Sequence, residues 1–117
     1  MLGQDSDLFR AFTMISRMWH GTVPTAKAEA YRTFLNTRVI PDYQSIPGNI
    51  SVHILERAED DITYFITLTF GESWDAIHRF AGADAETSKY YLEDQDFLLT
   101  FEPQVVHYEV VGQSPAS

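Results

Sequence analysis

The chain has 117 residues, 44% of them hydrophobic and 14% aromatic, with 17 acidic against 8 basic residues and a net charge of −9. That length and apolar content predict one ordered domain with a core of its own. The absence of cysteine excludes disulfides, thiolate metal sites and cysteine nucleophiles. Lys and Arg nowhere cluster, which argues against nucleic acid and anionic membranes as partners, because phosphate binding needs a basic patch.

No apolar run approaches the roughly 20 residues needed to cross a bilayer. The opening MLGQDSDLFRAF carries two Asp and no basic-then-apolar pattern, so it does not read as a secretory signal. The expectation is a cytoplasmic protein with a loosely ordered leader over 1–12, a single domain over 13–112 and a polar tail over 113–117.

The first strand is predicted over 13–23, with both faces partly apolar. Pro24 suits the first turn of a helix, and Ala28, Tyr31, Phe34, Leu35 and Val39 follow at helical spacing. The helix is expected to run to about Ile40, because the residue before Pro41 disfavours helical dihedrals, with a last, kinked turn open to Tyr43. After the Pro47-Gly48-Asn49 turn come strands over 50–58 and 62–70, joined by the charged loop Glu59-Asp60-Asp61. The second shows the clearest alternation in the chain, Ile62, Tyr64, Ile66, Leu68 and Phe70 against Thr63, Phe65, Thr67 and Thr69.

Ser73 reads as the N-cap of a second helix, which Gly82 should end in a left-handed conformation. A short helical piece is expected from Asp84 to Tyr91, then an acidic loop, FLLTF, and a last strand over 104–111. Strand, helix, strand, strand, helix, strand is the split βαβ order. The fold class is therefore α+β and ferredoxin-like, a four-stranded antiparallel sheet with helices on one face. Alternation puts Trp19, Leu55, Phe65 and Val105 on the other face. So much exposed apolar sheet is unusual for a monomer, and a symmetric homodimer pairing two sheets would bury it.

RMWHGTVP near residue 20, IPGN at 46–49 and ITYFITLTFGESWDAIHRFAG at 62–82 form a pattern, with KYYLEDQDFLL at 89–99 and EPQVVHYEVV at 102–111. Together they resemble the antibiotic biosynthesis monooxygenase-like family over residues 13 to 111. The resemblance implies a dimeric α/β barrel with a cavity between sheet and helices in each subunit. It also implies two chemistries known among relatives: cofactor-independent oxygenation of polycyclic phenols, and haem degradation. The haem-degrading members carry an Asn on the first strand and a Trp and a His in the second helical region. Here no Asn lies in the first strand, and Phe80 and Tyr90 fall near the other two positions, which argues against haem degradation.

By alternation Ser16, Met18, His20, Tyr64 and Tyr108 are expected to face the helices, met by Trp74, Phe80 and Tyr90. Such an aromatic wall suits a flat aromatic ligand, though aromatics equally fill cores. His20, beside Gly21 at a strand end, is the expected catalytic base that takes a phenolic proton so that the carbanion reacts with oxygen directly. Arg17, Trp19, His53, Phe65 and His107 are assigned to the dimer interface as a polar and aromatic network. His78 reads as surface. No metal and no cofactor is expected: the four His show no ligand spacing, no phosphate-binding glycine motif occurs, and Glu93, Asp94 and Asp96 read as a solvated loop. The leading reading is a cofactor-independent monooxygenase acting on an aromatic or polyketide-like molecule. The alternatives are a non-catalytic small-molecule-binding or structural dimer, and a haem binder.

Overall fold

The computed structural model describes residues 13–82, 92–101 and 104–114. The expected leader over 1–12, the helical piece with Tyr90, and the end of the tail lie outside these residues.

Strand β1 (Ile15–Pro24) leads through a short turn at Thr25–Lys27 into α1 (Ala28–Phe34). A π-helical turn over Leu35–Val39 connects α1 to α2 (Ile40–Gln44). The helix thus passes Pro41 rather than ending at Ile40. Proline lacks the N–H that would bond four residues back, and its ring crowds that carbonyl, so the widened turn just before it makes room. Two side chains serve carbonyls leading into that turn: Asn36 Nδ2 donates to the Arg32 carbonyl at 2.8 Å and Thr37 Oγ1 to the Thr33 carbonyl at 2.7 Å.

Strands β2 (Asn49–Glu59) and β3 (Ile62–Gly71) form a hairpin around Asp60-Asp61, with Asp60 in the left-handed region at φ 56°. Asp tolerates that conformation better than most side chains. Helix α3 (Trp74–Ala81) begins where Ser73 Oγ accepts the Ala76 N–H at 3.3 Å, and Gly82 ends it at φ 81°. The last strand comes in two pieces, β4 (Thr100–Phe101) and β5 (Val106–Glu109), both antiparallel to β1. Phe101 stands opposite Gly21 and Val106 opposite Met18, so five steps on one strand match three on the other. The sequence places Pro103 between the pieces, a residue that cannot donate to a ladder.

The sheet order is β2-β3-β1, with β4 and β5 sharing the fourth position. With helices on one face, this is the expected ferredoxin-like α+β arrangement. Among the described residues no helix is long and apolar enough to cross a membrane.

The face assignment comes out reversed. Trp19, Val23 and Phe65 lie under the helices and pack with Tyr31, Leu35, Val39 and Tyr43 in one core cluster. Phe65 is fully buried and meets Tyr31 edge to face at 5.1 Å. Trp19 lies along β1 over Gly21, where any Cβ would collide with the indole. On β3 it is the threonine face that the helices cover: Thr63, Thr67 and Thr69 are buried, and Thr25 and Thr63 share a hydroxyl hydrogen bond at 3.0 Å. The more apolar face, with Tyr64, Ile66, Leu68 and Phe70, points away from the helices. Alternation says which residues share a face, but not which face the helices will choose.

Candidate functional site

The open face of the sheet collects side chains from four strands. Register puts Ser16 opposite Tyr108 and Phe70, Met18 opposite Val106 and Leu68, His20 opposite Ile66, and Leu55 also opposite Ile66. Tyr108 is 57% exposed and Leu55 44%. A groove of about 730 Å³ runs along this face, walled by His20, Leu55, Arg57, Tyr64, Thr100 and Val106. Arg57 stacks on Tyr64 at 4.5 Å and pairs with Glu59 at the hairpin tip. The carboxylates here are Glu59 at the hairpin tip and Glu56, which borders the groove and pairs with Arg32, few for a chain of net charge −9.

Ser16, Met18, His20, Tyr64 and Tyr108 therefore do not face the helices, and they do not join Trp74 and Phe80 in one pocket. Arg17, Trp19, Phe65 and His107 leave the open face and line the covered one, so a sheet-to-sheet interface cannot use them. His53 alone of the five assigned to the interface is on the open side, edge-on to Phe70 at 6.1 Å.

Between sheet and helices is a polar cluster that the sequence did not assemble. Arg17 is 2% exposed. Its guanidinium donates to the Tyr43 hydroxyl and lies 5.4 Å from the centre of the Phe80 ring. Phe80 in turn meets Tyr43 edge-on at 4.0 Å. Burial lowers the Arg17 pKa, and Tyr43 opposes that shift. Burial pushes Tyr43 up to about 12, with Asp94 adding to the rise and Arg17 working against it. Asp94 is 3% exposed and accepts the Tyr31 hydroxyl at 3.1 Å. It is thus a buried partner rather than part of a solvated loop. Its apolar neighbours in sequence, Leu92, Phe97 and Leu98, were the available signal.

His107 stands opposite Arg17 in the register and against Trp74, with ring centres 5.0 Å apart. Its Nε2 is buried and has no hydrogen-bond partner among the described residues. Burial first, then Arg17 and His78, lower its pKa from 6.5 to about 4, so the ring is neutral at neutral pH. Trp74, Phe80 and His107 are half-buried, so the cluster reaches the surface at the α3–β5 rim. Deeper in, the free space among Trp19, Tyr31, Leu35, Val39, Tyr43 and Thr67 is only about 10 Å³. That recess has room for one water and not for a porphyrin. Among the described residues no group of three or more His, Asp or Glu gathers to hold a metal ion.

No protein-family model and no curated sequence matches the chain. Solved structures do. A candidate antibiotic biosynthesis monooxygenase from Nitrosomonas europaea is 22% identical at a TM-score of 0.62, over 85% of this chain and 91% of that one. SnoaB from Streptomyces nogalater, a cofactor-independent oxygenase solved as a point mutant, is 18% identical at a TM-score of 0.61, over 89% and 99%. The heme-degrader MhuD from Mycobacterium tuberculosis, solved with two hemes in its active site, is 16% identical at 0.62, over 86% and 99%. At these identities the likeness is one of fold, and the fold of this chain is that of the antibiotic biosynthesis monooxygenase-like proteins.

Proposed function

We propose that the protein is a homodimer closed through its open sheet faces into an α/β barrel, with a small-molecule site in each subunit. The observation that carries the dimer is the orientation of β3. The helices cover its threonines and leave Tyr64, Ile66, Leu68 and Phe70 outside. A second copy offers the same acid-poor apolar surface, and two such acidic chains repel least there. Scattering mass tests this: about twice 13.4 kDa is expected at micromolar concentration, and 13.4 kDa refutes it.

The site is the Arg17 cluster, and the chemistry that best suits it is oxygenation without a cofactor. A bound aromatic or polyketide-like molecule loses a proton, and the carbanion is held by a buried cation. It then reacts with dioxygen, so a methylene plus O₂ gives a carbonyl plus water. Oxygen uptake with anthrone-type phenols is the test. Equal product with and without oxygen, or none across a panel, sinks it. The second reading, a non-catalytic small-molecule-binding or structural dimer, is favoured by the close packing around Trp19, Tyr31 and Tyr43, where the recess holds about 10 Å³. Failure of hemin to give a Soret shift would remove haem binding. A cysteine-free chain suits a reducing, cytoplasmic setting.

A further inference from the structure

We infer that His107 is the proton acceptor of the site and Arg17 the cation that holds the resulting oxyanion, for a ligand carrying a phenolic or enolic proton. This rests on the site reading above, and it replaces His20 as the base. His20 lies on the open face, on the far side of the sheet from Arg17.

Three observations bring the pair together. First, Arg17 and His107 are directly opposite on neighbouring antiparallel strands and point under the same helices. Residues so placed have Cβ atoms about 5 Å apart, close enough for one ligand oxygen to meet both groups. Second, His107 Nε2 is buried without a partner among the described residues. A native interior seldom leaves such a nitrogen unmatched, and a catalytic role is one of the established reasons where it does. Third, the ring rests on Trp74, which is half-exposed at the rim. A planar ligand that displaces or stacks on the indole brings its acidic group to Nε2.

The electrostatics make the transfer self-consistent. In the free protein Arg17 and burial keep His107 neutral and so able to accept. When the ligand proton passes to Nε2, the O–H bond breaks and the pair of electrons stays on the ligand oxygen. The new anion sits beside the guanidinium and offsets the Arg17 repulsion, which with the larger effect of burial keeps the imidazole uncharged in the free protein. Proton count and charge balance within the site, and no oxidant is needed for this step.

Para-nitrophenol is the probe, because its anion absorbs in the visible and its neutral form does not. Anaerobically, one pH unit below the probe's own pKa, the wild-type dimer is expected to raise the bound phenolate-to-phenol ratio about tenfold over free solution. Nitrogen-15 NMR should show His107 becoming imidazolium as the probe binds. His107→Gln should bring the ratio back to that of free probe while keeping the wild-type circular dichroism spectrum at the assay pH. Arg17→Lys keeps the charge but loses the planar fork, and should bind the probe with a smaller phenolate gain. A probe that stays neutral or does not bind, or a phenolate gain removed by His20→Gln and kept by His107→Gln, overturns the assignment. If the probe ionises but no substrate consumes oxygen, the pair stands and the oxygenase reading falls.

Discussion

Acid should destabilise the wild-type chain more than a His107→Gln variant. The imidazole titrates at about 4 when folded, against 6.5 for an ordinary histidine. Between those values the unfolded chain holds a proton that the folded chain does not. Stability is therefore flat above pH 6.5, falls as pH drops from 6.5 toward 4, and levels off below. Taken at face value, linkage puts the loss at about 2 kcal/mol by about pH 5. The ring is only half-buried, and solvent screening halves that to about 1 kcal/mol. Glutamine keeps a similar shape and has no proton to take up. Urea unfolding at about pH 7 and about pH 5, at one fixed protein concentration, reads the difference as a shift in midpoint with unchanged slope. Equal acid losses in the two proteins would refute the idea that Arg17, His78 and burial hold His107 neutral. A larger loss in the variant would reverse its sign.

Leu55→Arg, on the open face opposite Ile66, should halve the scattering mass while leaving helical content unchanged, because it places a charge in the sheet-to-sheet contact and touches none of the core. Phe65→Ala should cost about 3–5 kcal/mol in urea unfolding, since it empties the fully buried position under Tyr31. Gly48→Ala should cost about 1–3 kcal/mol on the same measure. Its φ of 91° strains any side chain, and a Cβ would stand 2.6 Å from that of Ala76. Tyr31→Phe should cost about 1–3 kcal/mol by removing a donor from the buried Asp94 carboxylate, and Tyr31→Ala much more.

The order of elements was legible in the sequence because each has a local physical signature. Ser73 and Gly82 bound α3 through a cap and a left-handed turn, and both are as expected. The strict alternation at 62–70 marks β3 within a residue. A kinked turn reaching Tyr43 was open from the sequence, but the π turn that accommodates the Pro41 ring was not legible, because no local propensity marks it. The candidate site was harder still. Trp19, Phe65 and Arg17 were singled out by type, and then placed on the wrong side of the sheet. Asp94 looked like one acid among several in a loop.

The residues themselves determined that this chain would form a four-position sheet with one helical layer. Period-two alternation and capping act between near neighbours, so they survive without knowledge of the fold. Only the tertiary structure decided which face the helices take. Trp19 over Gly21, and Phe65 against Tyr31, fill the layer under α1, and three threonines are buried beside them. That one choice sends His20 out to the open face and brings Arg17, Tyr43, Asp94 and His107 together beneath the helices. Chemistry that depends on residues so far apart in the chain is set by that packing, which no local pattern encodes.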